Sequence, residues 1–190
     1  VQIVGSHTNV VRIEKNGEVL LNKPFSEEAA QPPESRRGLT VEDIIAFADK
    51  VDLDDVRAPI ARQIEYNTAI AEAGLTGQYG AAIGKILLDS YGDSVQNRAK
   101  AWAAAGSDAR MNGCEKPVVI NSGSGNQGMT ASLPVIKYAQ HIGATREQLY
   151  RALVLSNLIT IHQKTGLGRL SAYCGAVSAA AVSYTHLRAH

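Results

Sequence analysis

Between two helix-forming segments the chain runs Asp108-Ala109-Arg110-Met111-Asn112-Gly113-Cys114, then Pro117-Val118-Val119-Ile120, then Asn121-Ser122-Gly123-Ser124-Gly125-Asn126-Gln127-Gly128. No other stretch limits the fold as much, because no hydrophobic core calls for such a run. Glycines permit positive φ and close approach of backbone to a neighbour or ligand. Ser, Asn and Gln supply donors and acceptors without fixed charge. The run leads into an apolar helix expected over Met129 to His141, so it is suited to hold a small anion at a helix N-terminus. The candidate binding residues are Ser122, Gly123, Ser124, Gly125, Asn126, Gln127 and Gly128. Arg110 stands at the entrance with Asp108, and an Arg can clamp a carboxylate through two parallel hydrogen bonds. The segment is not a Walker loop, since no Gly-Lys-Ser/Thr follows, and no strand–loop–helix–strand unit surrounds it as a dinucleotide fingerprint requires. The alternative is a polar interhelix loop. Asn and Gln beside the glycines argue against a mere linker, which is commonly richer in Ser, Lys and Glu.

The rest of the chain frames this loop. Its 190 residues fit one domain, or one domain and part of another. A net charge of +1 without a basic stripe speaks against nucleic acid. No apolar run reaches membrane-spanning length. Two cysteines make no disulfide framework, which favours a reducing, cytoplasmic setting. Val10 to Glu14 and Glu18 to Leu21 flank Lys15-Asn16-Gly17, a strong hairpin signal. Lys23 to Gly38, with three prolines, reads as a linker. Helices are expected from Thr40 onward: Val41 to Lys50, then one from Asp52 or Asp54 to Gly74 with Pro59 in its first turn. Tyr79 to Leu88, Ser94 to Ala105 and Met129 to His141 follow, then one starting at Thr145 with Leu149, Leu153, Ile159 and Ile161 on its buried face. Gly166 to Leu170 reads as a turn before a small-residue helix. The fold class expected is α+β: a β-hairpin region and linker over residues 1–38, then a mainly α-helical domain over residues 39–181. Residues 182–190 change character and read as a non-native tail, and the chain reads as a fragment.

Five further residues could carry chemistry. Cys174 follows a glycine turn, and Cys114 precedes the loop. A lone cysteine is more often packing than ligand, and two thiols do not complete a four-iron cluster. The spacing of Cys and His does not suit zinc. His162 and Lys164 are the candidate general bases; a cation near a helix C-terminus is also favoured by the dipole alone. His7, in Gly5-Ser6-His7-Thr8-Asn9, is a candidate ligand contact, whereas His141 reads as structural.

The loop blocks, followed by Gly166-Leu167-Gly168-Arg169-Leu170-Ser171-Ala172-Tyr173-Cys174-Gly175-Ala176, resemble the serine dehydratase alpha-chain-like family, and within it the L-cysteine desulfidase branch. The resemblance covers residues 1 to about 181 and does not extend to the tail. It implies a lyase with an oxygen-sensitive [4Fe-4S] cluster, held by three cysteines with one iron open to substrate. Such a lyase converts L-cysteine into pyruvate, ammonia and sulfide, or L-serine into pyruvate and ammonia. It also implies that Cys174 is a cluster ligand. The family's other two ligand blocks are missing from these residues, so this piece is expected to be inactive alone. No ligand role passes to Cys114. A small amino acid is the implied partner, and a homodimer is an open option. A non-catalytic amino-acid-binding or regulatory module is the alternative, and a metal-free lyase or isomerase using His7 or His162 is a second.

Overall fold

A computed structural model describes residues 1–4, 8–25, 38–167 and 173–181. The chain divides into two compact units, Val1–Gly38 and Leu39–His190. The architecture is α+β.

The first unit is a three-stranded antiparallel sheet in the order β1 (Gln2–Ile3), β2 (Val10–Lys15), β3 (Glu18–Asn22). Asn16 and Gly17 join β2 to β3 with φ of 52° and 86°. Positive φ at both central residues is the turn whose twist matches the strands, so the expected hairpin is present. The register slips between Ile13 and Glu14, a bulge the alternation did not announce. Most of the expected linker, and His7, lie outside the described residues.

The second unit holds α1 (Val41–Lys50), α2 (Leu53–Thr76), α3 (Ile83–Tyr91), α4 (Val95–Met111), α5 (Gly125–His141), α6 (Arg146–Leu167) and a π-helical turn, Ala176–Ala180. Their starts carry local signals. The side chains of Thr40, Asp52, Ser94 and Ser124 accept hydrogen bonds from the first-turn amides of α1, α2, α4 and α5. Thr145 and Gln148 form a reciprocal capping box for α6, with bonds of 2.8 and 3.2 Å. The start of α3 has no side-chain cap of its own, because Ala82 stands there in a left-handed conformation. Asp108, reaching from α4, caps it instead by accepting from the Ile83 amide at 2.8 Å.

Several helix ends differ from expectation. Helix α2 does not stop at Gly74 but runs to Thr76, and Pro59 lies inside it, beyond the first turn. Gly74 serves close packing instead: a Cβ there would strike the Ala105 carbonyl. Gly84 of α3 meets the Ala101 carbonyl in the same way. Left-handed Gly80 and Ala82 delay α3 to Ile83. Helix α4 continues past Ala105 to Met111, because Gly113, not the alanine run, ends it. There the Cys114 amide bonds back to the Ala109 carbonyl at 2.9 Å, with Gly113 at φ 85°, closing a Schellman turn. Gly166 is helical, not a turn residue.

Small residues on α4, namely Ala99, Ala101, Ala105, Gly106 and Ala109, are buried, so α2, α3 and α5 approach its backbone closely. One apolar cluster joins Ile70, Ala71, Ala109, Met129 and Leu133; another centres on Ile60, Ile136, Tyr150 and Leu153. The buried face of α6 is more polar than expected. Ser156, Thr160 and Lys164 are buried with Tyr150, Leu153, Val154 and Ile159, while Leu149 and Ile161 are only half-buried. Arg151 donates to the Ala48 and Asp49 carbonyls at 3.0 and 2.8 Å, which ties α6 to the end of α1. Between α4 and α5 the buried Lys137 Nζ stands 3.0 Å above the centre of the Trp102 ring. Burial pushes its ammonium down to about 8, an effect the negative face of the indole opposes.

The two kinds of glycine give opposite expectations. Gly74→Ala should lower the unfolding free energy by about 1–3 kcal/mol, since backbone cannot yield to the new methyl. Gly166→Ala, in open space on a helix, should raise it by about 1 kcal/mol. Urea denaturation of both variants checks this; a destabilising Gly166→Ala would contradict a helical Gly166.

Candidate functional site

The glycine-rich segment is not one open loop. Asp108, Ala109, Arg110 and Met111 belong to α4, and Gly125 to Gly128 form the first turn of α5. The true turn is Ser122-Gly123, with φ of 47° and 88°. Asn121 and Ser124 flank it and exchange two backbone hydrogen bonds of 3.1 and 3.0 Å. This is the same tight reversal that joins β2 to β3. It brings the chain abruptly onto the axis of α5, with Ser124 as N-cap.

The four glycines therefore have separate tasks. Gly113 ends α4, and Gly123 makes the turn. Gly128 lets α5 press against the preceding segment, since a Cβ there would strike the Val119 carbonyl. Gly125 makes room for Arg110, whose guanidinium lies across it. Arg110 is exposed and bonds through Nη1 to Asn126 Oδ1 at 3.2 Å; it forms no salt bridge among the described residues. The amides of Gln127 and Gly128 are satisfied by Ser124. Those of Gly125 and Asn126 have no hydrogen-bond partner among the described residues. Two N–H groups without a partner among the described residues, at the positive end of a helix and beside an exposed guanidinium, can receive an anion.

Beneath this turn runs a chain of buried amides that the sequence analysis did not single out. Gln63 of α2 and Asn157 of α6 exchange two bonds, 2.7 Å from Asn157 Nδ2 and 3.0 Å from Gln63 Nε2. Asn121 Nδ2 donates to Asn157 Oδ1 at 2.9 Å and to its backbone carbonyl at 3.2 Å. Asn121 Oδ1 in turn accepts from Gln127 Nε2 at 3.2 Å and from the Ser122 hydroxyl at 3.0 Å. Alongside, the buried Asn67 holds Val119 by accepting from its amide at 2.8 Å, and it donates to Ser132 Oγ at 3.0 Å. The available signal was position: Gln63 and Asn67 share the stripe of α2 with Ile60, Ile70 and Gly74, where a polar side chain must find partners.

The glycine segment and α6 converge on Gly175. A Cβ on Gly175 would strike Gln127 Oε1 and lie 3.2 Å from Lys164 Nζ. Gln127 from the glycine segment, Lys164 from α6 and the neighbour of Cys174 thus meet at one point. His162, two residues from Lys164 on α6, does not share its face, and it is half-buried. Cys174 is exposed, and its carbonyl accepts from the Ser178 amide and hydroxyl at 2.9 and 2.8 Å. Cys114 and Tyr79 are both half-buried against the α2–α4–α5 core, and Cys114 pushes the Tyr79 hydroxyl above its ordinary range. Among the described residues no three His, Cys, Asp or Glu side chains come together as a metal site. One accessible thiol suits a single corner of an iron–sulfur cluster; the described residues do not supply the other ligands.

A helical unit with a glycine-built helix N-terminus over buried amides, facing a cysteine-bearing segment, defines the class, and comparison names it. The model of the serine dehydratase alpha chain family matches residues 9–185, and the chain belongs to that family. It is 55% identical over 190 residues to a UPF0597 protein of Desulfitobacterium hafniense, covering 97% of this chain and 44% of the relative. A UPF0597 protein of Lachnoclostridium phytofermentans is 55% identical over 181 residues, covering 95% and 43% of the two chains. One of Treponema denticola is 50% identical over 186 residues, covering 95% and 43%. The chain thus spans less than half the length of these relatives. No solved structure matches it. No helix among the described residues is long and apolar enough to cross a membrane.

The amide chain has a measurable weight. Asn157→Ala should cost about 2–4 kcal/mol of stability, because it strands the amides of Gln63 and Asn121 in the interior. Ser124→Ala, which removes one N-cap, should cost about 1 kcal/mol. Chemical denaturation compares them, and equal losses would contradict Asn157 as the hub.

Proposed function

We propose that the protein to which these residues belong is a cytoplasmic lyase that carries out β-elimination on a small amino acid. The substrate is L-cysteine, giving pyruvate, ammonia and sulfide, or L-serine, giving pyruvate and ammonia. One observation carries this reading: Gln127 of the helix N-terminus and Lys164 of α6 meet at Gly175, the residue next to Cys174. A carboxylate cradle and a thiol able to bind metal thereby come from segments far apart in sequence. Family membership supports the same reading.

In this proposal the substrate carboxylate binds at the start of α5, held by the free amides of Gly125 and Asn126 and by Arg110. Ser122, Gly123, Ser124 and Gly128 shape that turn. Lys164 is the candidate to take the α-proton, because its Nζ is buried beside Gly175; His162 is the second candidate. Cys174 would hold a [4Fe-4S] cluster by one corner, with further thiolates from parts of the protein outside these 190 residues. When bound, the cluster would supply a Lewis acid for the departing SH⁻ or OH⁻.

The test uses full-length protein purified without oxygen. It should contain iron and acid-labile sulfide, and Cys174→Ala should abolish the cluster absorbance while Cys114→Ala retains it. An iron-free protein that still binds amino acids would support the non-catalytic module instead. A Cys174→Ala variant with an unchanged cluster would remove Cys174 as a ligand.

A further inference from the structure

We propose that the side-chain oxygen of Gln127 is the acceptor for the α-ammonium group of the bound amino acid. This deepens the amino-acid reading above and rests on it.

The argument starts from the direction of the amide chain. A carboxamide can be turned either way, and only its partners decide which end points where. Asn157 has no such choice, because its Nδ2 donates to the Gln63 side-chain oxygen at 2.7 Å and to the Leu153 carbonyl at 2.8 Å. Its Oδ1 therefore faces Asn121, which must present Nδ2 to it, at 2.9 Å. Asn121 then offers only its oxygen onward, and Gln127 must answer with Nε2, at 3.2 Å. Reversing Gln127 would set oxygen against oxygen. The order of donors fixed at the Leu153 carbonyl thus forces Gln127 Oε1 to the far side, toward Gly175.

There the oxygen has no hydrogen-bond partner, although Gln127 is fully buried. Leaving such an acceptor unmatched is unfavourable, and networks of this kind otherwise satisfy every member. The missing partner is an N–H or O–H donor. A neutral carbonyl suits an ammonium well, because the ionic donor strengthens the bond. The same first turn of α5 carries the free amides of Gly125 and Asn126, which suit a carboxylate. One helical turn therefore presents complementary groups for both ends of an α-amino acid. The bare backbone of Gly175 borders the acceptor, and any side chain there would collide with it. Lys164 Nζ, close to the same point, is the competing donor from within the chain.

L-Alanine and propanoate separate these possibilities. They differ by the ammonium group alone, and neither has a β-substituent to eliminate. Their binding to the full-length protein is measured by calorimetry or by competition. Wild type should prefer L-alanine by at least about tenfold, the scale of one charge-assisted hydrogen bond. Gln127→Leu should reduce the preference to within about twofold by weakening L-alanine while leaving propanoate unchanged. A Gln127→Leu protein with native circular dichroism and the wild-type preference would overturn the proposal and leave the oxygen to Lys164. If wild type binds both ligands equally, the ammonium assignment fails while a carboxylate site stands. If it binds neither, the amino-acid reading fails with it.

Discussion

The geometry of the candidate site depends on the buried pairing of Gln63 with Asn157. These two side chains come from α2 and α6 and exchange a double hydrogen bond, and the Leu153 carbonyl, accepting from Asn157 Nδ2, sets the direction of every amide that follows. Through Asn121 the chain reaches the turn at Ser122-Gly123, and through Gln127 it reaches the first turn of α5. A loop built from glycine and small polar residues would otherwise have little to hold it in one conformation. Here its two flanks are fastened from below, by Asn67 at Val119 on one side and by Gln127, bonded to Asn121, on the other. The free amides at the start of α5 are thus pre-organised, so a ligand would not bear the whole entropy of ordering the turn.

That pairing requires α2 and α6 to lie close together beside α5, and the small residues of α4 let α2, α3 and α5 pack closely against it. Gly74 and Gly84 let neighbouring helices rest on the carbonyls of Ala105 and Ala101. Gly106 opens a place for Met129 at the base of α5. The alanine content of this region is therefore a packing device, and a few amides and one lysine are polar side chains buried beside it. The polar stripe of α6, with Ser156, Thr160 and Lys164 among its buried residues, follows the same logic. Ser156 donates to the Ala131 carbonyl at 2.7 Å, joining α6 to α5.

What could be read from sequence was local. Asn16-Gly17, Thr40, Ser94 and Thr145 act on backbone groups within a few residues, and each stands where such a signal predicts. The glycine segment reads as the entry to a helix for the same reason, and α5 begins within it at Gly125. Glycine itself was ambiguous. Gly74 looks like a helix stop and is a contact point, Gly166 looks like a turn and is helical, and Gly113 looks like part of the cradle and ends α4. Which role applies depends on what stands opposite, and that is a tertiary fact. Gln63 and Asn157 were missed because a polar residue on a helix announces nothing until its partners are known. Lys164 was a candidate in sequence, but its meeting with Gln127 at Gly175 could not be read there. His162, equally plausible in sequence, falls on another face of the same helix.

The proposed role of this arrangement is to hold a small amino acid by both polar ends beside a cysteine-bound cluster while its β-substituent departs. The most direct test is product analysis with full-length protein kept free of oxygen. L-Cysteine should yield pyruvate, ammonia and sulfide in equal amounts, or L-serine should yield pyruvate and ammonia in equal amounts. Tight binding of either amino acid by the cluster-loaded protein, with no pyruvate formed from either, would contradict the account.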